Sequence, residues 1–333
     1  MIKPPSSKGD GGFVLRVINC STVSDFVEFV SPAHELYRGD FKKFIFRGHA
    51  DANWKLLPSV FRSSSAEELG LPNWPIDKPY FRRESEFRSL MSFLEALNDS
   101  GGYLASNDIL ISTLRWDHSL ERLEDHAQGL KLWPSKEYIP IMALAQHYGL
   151  PTRLLDFTFN PLVAAYFSVV DLVFKKIKSE HFCVYAFDID MATKGFLGRE
   201  DDFYAVKPYT LKSDFYIPIT APYHFNGNMK LQGGLFMMYV DSQRKYDVFS
   251  PISFDDWVLG NKLSFNGVFG SDAFLKITLP SKFAIEVFDF LHASFVNGSS
   301  LFSGAEGAVK YSKERSALNN WRYGNGYSTG FHD

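Results

Sequence analysis

The chain has 333 residues, the upper end of what one domain usually holds, and its 35 basic residues nearly balance its 38 acidic ones. With 45% hydrophobic and 22% charged residues, the composition excludes a disordered or collagen-like chain. The net charge of −3 points to neither a broadly basic nucleic-acid groove nor a membrane-binding surface. The 32 phenylalanines supply a large apolar core.

The two cysteines, Cys20 and Cys183, are far apart and have no Cys/His spacing of the kind that a zinc site needs. We therefore expect free buried thiols and no metal. The chain starts with a polar segment and not with an apolar stretch, and no window approaches the roughly 20 apolar residues that cross a bilayer. These features predict a cytoplasmic protein without a membrane partner.

The first half of the chain combines one strand with a helical stretch. The segment 43–48, with three consecutive apolar residues, is typical of a strand and ends at Gly48. Apolar residues at helical spacing then predict helices over 80–98 and 114–132. These helices form a predicted helical insert of about 62–135.

The rest of the chain contains residues that are typical of the beginnings and ends of helices. Gly149 ends a helix, and Asn160 caps the next helix, which begins at Pro161. Ser281 is expected to cap a further helix, with Phe295 on its buried face. The segments predicted here are a helix over 138–148, a loop over 152–159, a helix from 161 to a cationic end at 175–178, and strands over 182–189, 235–240 and 273–279. Because strands and helices interleave unevenly, we predict an α+β fold.

Polar residues at the ends of these apolar elements are the candidates for chemistry, since the sequence has no standard nucleotide, zinc-protease or serine-hydrolase motif. Arg47, at the end of the first strand, suits a bidentate grip on a phosphate or carboxylate. Gly48 beside it lacks a Cβ and lets an anion approach the backbone. A structural ion pair is the alternative interpretation of Arg47.

The segment 146–161 places an imidazole, a guanidinium, a carboxylate and hydroxyls in a loop between two helices. As a group these residues predict a pocket. Taken singly, Arg153 and Asp156 are expected to pair with each other, and His147 to be a satisfied core histidine.

Two later segments add further candidates. Gln232, beside two glycines, suits either an amide-bearing ligand or a backbone brace. Glu306, in the segment 301–307, is either an acid near a cleft or a residue that caps a turn.

In this order, Phe46-Arg47-Gly48, the block at 145–168, the stretch 232–236 and the segment 301–307 resemble the FRG-domain family, named for its Phe-Arg-Gly motif. The resemblance covers roughly 40–310. Together with the missing apolar periodicity at the start and the glycines at the end, it predicts a disordered lead over 1–12, an FRG domain over 13–320 and a flexible tail over 321–333. The chain departs from the family pattern at Asn228, where an arginine is common, and at Ser303, where a proline is usual.

The same segments also resemble ADP-ribosyltransferases, which carry an arginine on a first strand, a Ser/Thr strand that leads into a helix, and a late glutamate. This resemblance implies split antiparallel sheets with a helical insert, and NAD as a substrate. It implies that the catalytic residues are Arg47, His147, Asp156 and Gln232. It implies that the NAD-contacting residues are Phe46, Gly48, Tyr148, Arg153, Thr158 and Tyr166. The late glutamate is missing beside Gln232, so Asp156 or Glu306 has to replace it.

The expected function is therefore an NAD-dependent ADP-ribosyltransferase-like toxin or anti-phage effector. It would modify RNA, DNA or protein, with an antitoxin or inhibitor protein as a further partner. One alternative is a non-catalytic module that senses a nucleotide or a phage component. The other is a hydrolase or nuclease that uses His147 and Asp156 as an acid–base pair.

Overall fold

The computed structural model describes residues 15–37, 43–65, 79–101, 133–134, 138–175, 177–189, 214–220, 227–240, 251–260 and 272–324. The predicted lead over 1–12, the helix over 114–132 and the end of the tail lie outside the described residues.

Seven strands form one mixed sheet in this part of the chain. The strands are β1 (Arg16–Asn19), β2 (Phe44–His49), β3 (Leu154–Thr158), β4 (His181–Asp188), β5 (Phe215–Ile219), β6 (Gly234–Val240) and β7 (Phe274–Pro280). Their order across the sheet is β1-β7-β4-β2-β3-β6-β5. The edge pair β1 and β7 is parallel, and the other neighbouring strands are antiparallel. The predicted α+β class is confirmed, and the parallel edge corrects the expectation of purely antiparallel pairing.

The fewest residue pairs between neighbouring strands occur at the centre of the sheet, between β2 and β3. β2 and β3 pair through Phe46 and Thr158 alone, whereas β2 pairs with β4 through six residue pairs and β3 with β6 through five. A four-stranded half and a three-stranded half therefore diverge beyond this point. The expectation of two split sheets is corrected, because Phe46 has a partner on both sides and joins the halves into one sheet.

Helices cover both faces of the sheet. Among the described residues they are α1 (Val23–Phe29), α2 (Pro79–Asp99), α3 (Ile139–His147), α4 (Pro161–Phe174), α5 (Gly227–Leu231), α6 (Phe254–Gly260), α7 (Ala284–Ala293), α8 (Gly298–Leu301) and α9 (Gly304–Gly324). Successive strand residues point to opposite faces. Ile45 and Tyr185 thus pack in the core formed with α2, α3 and α6, whereas Phe46 and Val184 pack with α1, α4 and α7. None of the described helices is long and apolar enough to cross a bilayer.

Several local signals act as predicted. Gly149 follows α3 with a φ of +98°, a conformation that favours glycine. The Asn160 side chain accepts a hydrogen bond from the Leu162 backbone N–H, and Pro161 is the first residue of α4. α2 confirms the first helix of the predicted insert.

Other predictions are wrong. The expected loop over 152–159 contains β3, because its residues complete a ladder with β6. Ser281 starts a 3-10 turn, Ser281–Phe283, and among the described residues its hydroxyl has no partner. Phe295 is 83% exposed with a φ of +59°, because α7 already ends at Ala293. The polar helix α9 replaces part of the expected turn at 301–307 and extends to Gly324 in the expected tail.

Candidate functional site

A cavity of about 440 Å³ lies where β2 and β3 diverge. Its walls come from both faces of the sheet, with Gln146 of α3 on one side and Val163 and Phe167 of α4 on the other. The cavity therefore passes through the gap between the two halves of the sheet. Its polar lining residues are Arg47, His49, Arg62, Gln146, His147, Asp156, Thr158, Asp171, Asn228, Gln232 and Glu306.

Gly48 allows α4 to reach this position. A Cβ on Gly48 would lie 1.9 Å from the Ala164 carbonyl oxygen and 2.7 Å from the Ser168 backbone nitrogen. The close approach of helix and strand therefore fills the space that a side chain would need. Gly48 lines the cavity, but its missing Cβ is required for packing, which corrects the prediction that the space admits an anion.

Arg47 projects from β2 into the gap, and its side chain is only 15% exposed. Its Nε donates to His49 Nε2 at 3.1 Å, and its Nη1 donates to the Asp156 carbonyl oxygen at 2.5 Å. Burial lowers the pKa of Arg47, and the Asp156 carboxylate opposes this shift. The guanidinium stays protonated at neutral pH. Its Nη2 group makes no hydrogen bond to any described residue and is available to a ligand.

His49, which the sequence reasoning missed, is almost fully buried beside Arg47. Its ring packs edge-on against Trp54 and Tyr185, at centroid distances of 6.1 and 5.7 Å. Burial, and then the positive charge of Arg47, lower its pKa well below the ordinary value. The imidazole is therefore neutral near pH 7. Its position two residues after Arg47 was the only available signal, because strand residues i and i+2 share a face.

Arg62 is a second guanidinium in the cavity wall and was also missed. Its Nε and Nη2 both donate to the Leu57 carbonyl oxygen, at 3.1 and 3.0 Å. Burial lowers its pKa first, and the positive charge of Arg47 lowers it further. Because the charge of Arg47 reaches Arg62, the two guanidinium groups together create a site that favours an anion. Nothing in the local sequence pattern indicates this proximity.

Asp156, on β3, faces Arg47 across the gap. Its Oδ1 accepts a hydrogen bond from Gln146 Nε2 at 2.8 Å, and its Oδ2 lies 3.6 Å from Arg47 Nη1. Gln146 in turn accepts from the Thr152 hydroxyl. The expected Arg153–Asp156 pair is therefore wrong, since Asp156 pairs with Arg47. His147 is exposed at the cavity wall and is not a core histidine.

Arg153 is fully buried on the side of the sheet covered by α2. Its Nη2 donates to Glu86 Oε1 at 3.0 Å, and its guanidinium lies over the Phe61 and Tyr239 rings. Glu86 also accepts a hydrogen bond from the indole of Trp133. Arg153 therefore joins α2 to β3 and is absent from the cavity wall.

The two tyrosines among the predicted NAD-contacting residues are also absent from the cavity wall. Tyr148 is 69% exposed and packs against the rings of Phe93 and His147. Tyr166 is buried, and its hydroxyl donates to Glu314 Oε1 at 2.6 Å. Tyr148 directly follows α3 and Tyr166 lies on α4, but neither side chain lines the cavity.

The remaining wall comes from the segments before β6 and α9. The Thr158 hydroxyl donates to the Gln232 carbonyl oxygen at 2.6 Å, and Gln232 Nε2 donates to the Leu301 carbonyl oxygen at 3.1 Å. Asn228 Oδ1 accepts from the Ser303 backbone N–H at 2.9 Å. These bonds hold the chain before α9 against the cavity.

Glu306 enters the cavity wall from the first turn of α9. Its Oε2 lies 3.5 Å from Asn228 Nδ2, and its Oε1 lies 3.7 Å from Lys310 Nζ. Both contacts are long, so the carboxylate is only loosely held. This placement favours the prediction of an acid near a cleft.

Of the predicted site residues, the structure brings seven together around the cavity, namely Phe46, Arg47, Gly48, His147, Asp156, Thr158 and Gln232. The part of the chain that the structure describes contains no group of three or more His, Cys, Asp or Glu side chains that could hold a metal. Cys20 and Cys183 are buried free thiols, and burial raises the pKa of each to about 12.

Residues 42–175 match the family model described as the FRG domain. The matched region includes β2, α3, β3 and α4, and with them Arg47 and Asp156. Gln232 and Glu306 lie outside it. Neither the curated proteins nor the solved structures yielded a match.

Proposed function

We propose that this chain, whose residues 42–175 match the FRG-domain family, is an ADP-ribosyltransferase-like enzyme that takes NAD as its substrate. The observation that supports this most is the convergence of three segments on one cavity. Arg47 on β2, Thr158 on the strand before α4 and Gln232 before β6 line the same gap. This is the chain order of the segments that the resemblance to ADP-ribosyltransferases identified.

The two arginines are the proposed pyrophosphate clamp. Nη2 of Arg47 and Nη1 of Arg62 make no hydrogen bond to the described residues, so each has a donor left for a phosphate oxygen. Arg62 replaces Arg153, which was predicted to contact NAD but does not line the cavity. Trp54 is 46% exposed at the cavity wall, and Phe302 lines it as well. These two rings, in place of the predicted Tyr148 and Tyr166, are the proposed surfaces for the nicotinamide and adenine rings.

Glu306 is the proposed replacement for the missing glutamate. In the transfer, the bond between nicotinamide and ribose breaks, nicotinamide leaves with the electron pair, and the ribose carbon becomes cation-like. The acceptor then bonds to that carbon, and its proton passes to the carboxylate. Asp156 is less suited because Gln146 and Arg47 already engage its oxygens. Among the described residues, Glu306 has only its two long contacts, to Asn228 and Lys310.

Transfer of label from NAD tests this proposal. Labelled NAD is incubated with the protein and a cell lysate that is then separated into protein, DNA and RNA fractions. We expect label in one fraction with the wild type, and its loss with Arg47→Ala and Glu306→Gln. Arg315→Ala, which changes an exposed arginine on α9, is the matched control and keeps activity. No transfer by folded wild-type protein refutes the proposed reaction.

A non-catalytic nucleotide-binding module is the second candidate. Gln232 carries no carboxylate, and its amide holds the Leu301 carbonyl oxygen, which favours a structural role. This candidate predicts that NAD binds but is neither cleaved nor transferred. The proposed toxin or anti-phage role is tested separately, by comparing growth of cells that express the wild type, Arg47→Ala or Asp156→Ala.

A further inference from the structure

The direction of the Arg47 guanidinium is set by two acceptors, His49 Nε2 and the Asp156 carbonyl oxygen. An arginine has five N–H donors and no acceptor, so His49 Nε2 has to present a lone pair. The proton of the neutral imidazole is then on Nδ1. With Nε and Nη1 engaged in this way, Nη2 is the group left to face the cavity.

We infer that His49 is a positioning residue, which holds Arg47 in the anion-binding orientation only while its imidazole is neutral and protonated at Nδ1. The inference rests on the proposed function in one respect, since Arg47 is taken to contact the anion. Its core is a hydrogen bond between two buried side chains, which can be tested without any ligand.

The surroundings of His49 keep the ring uncharged. The positive groups that face it are Arg47 on its own strand, Arg62, and Lys276 of β7, and all three oppose protonation. Tyr185 of β4 and Trp54 contribute aromatic rings and no formal charge. Nδ1 has no hydrogen-bond partner among the described residues, although the nearby Trp54 backbone offsets part of the lowering of the pKa. The Asp156 carboxylate contacts a different nitrogen of Arg47, since its Oδ2 lies 3.6 Å from Nη1 whereas His49 Nε2 accepts from Nε.

Protonation of His49 would remove the acceptor. Nε2 would then carry a hydrogen directed at the Nε–H of Arg47, and two positive charges would be in contact. Arg47 would have to turn, and Nη2 would leave its position in the cavity. A glutamine at position 49 keeps a neutral acceptor at the end of a side chain of similar reach, whereas an alanine keeps none.

The first test is nitrogen-15 NMR of the histidines in the full chain at pH 7, assigned with His49→Gln. We expect the signal of a neutral ring with an unprotonated Nε2. A signal from a ring protonated at Nε2, or from a charged ring, overturns the inference whatever the cavity binds.

The second test is titration with inorganic pyrophosphate at pH 7.5 and at decreasing pH. We expect His49→Ala to bind about tenfold more weakly than the wild type, the equivalent of one lost hydrogen bond, and His49→Gln to bind nearly as well. As the pH falls, affinity should decline more steeply in the wild type than in His49→Gln. Circular dichroism establishes that each variant is folded.

Equal affinity of folded His49→Ala and wild type at pH 7.5, or equal pH dependence of wild type and His49→Gln, overturns the inference. A different combination of results would refute the proposed function alone. Wild-type protein that shows the expected NMR signal but neither binds pyrophosphate nor transfers label from NAD refutes the anion site, while the interaction between His49 and Arg47 stands.

Discussion

Replacing Gly48 by alanine separates a packing role from a ligand-binding role. The added Cβ would lie 1.9 Å from the Ala164 carbonyl oxygen, 2.7 Å from the Ser168 nitrogen and 2.9 Å from the Ala164 carbonyl carbon. All three atoms belong to the backbone of α4, so no side chain can rotate to make room. Overpacking costs about 1–3 kcal/mol where neighbours can adjust. Because a whole helix has to shift here, we expect a loss of at least about 3 kcal/mol.

Urea denaturation followed by circular dichroism measures this loss. Gly260→Ala is the matched control, because a Cβ on this last residue of α6 meets no described atom within 4 Å. We expect the control to stay within about 1 kcal/mol of the wild type. A Gly48→Ala protein as stable as the control but unable to bind pyrophosphate would refute the packing argument. It would restore the interpretation that the glycine admits an anion.

Three further changes test other parts of the fold. Arg153→Met should destabilise the protein by about 3–5 kcal/mol in urea, because it leaves Glu86 buried without its partner; an unchanged midpoint would contradict this. Asn160→Ala should cost about 1 kcal/mol, since α4 loses its N-cap bond, and Asn160→Asp should restore most of it. The lowered pKa of His49 means that, below about pH 6.5, the unfolded chain binds a proton that the folded chain excludes. The free energy of unfolding should therefore decrease by up to about 1.4 kcal/mol for each unit by which the pH is lowered, a component that His49→Gln lacks. Identical curves of stability against pH for the wild type and His49→Gln would refute it.

Much of the fold could be predicted because its signals are local. The cap at Asn160, the glycine after α3 and the apolar strand β4 each occupy a few consecutive residues. β3 was missed because its stability comes from pairing with β6, about 80 residues later in the chain. α9 was missed because its polar surface gives no strong apolar periodicity, and the glycines near its start suggested a turn.

The residues of the candidate site also fall into two groups, those that local sequence signals identified and those that they missed or misplaced. Arg47 and Asp156 were identified from their positions at the ends of apolar segments, and they do meet. Arg153 was misplaced because its partner, Glu86, lies on a helix whose packing the sequence pattern does not determine. Arg62 was missed because only the folded chain places it beside Arg47. Spacing along a chain reports which residues share an element, but not which elements meet.

NAD binding measured by titration calorimetry tests the assignment of the cavity most directly. The wild type is compared with Arg47→Ala and with the surface control Arg315→Ala. We expect the wild type and the control to bind NAD equally, and Arg47→Ala to bind at least about tenfold more weakly, as loss of a charge-assisted hydrogen bond requires. Equal affinity of folded Arg47→Ala and wild type, or no binding by any of the three proteins, would contradict the assignment.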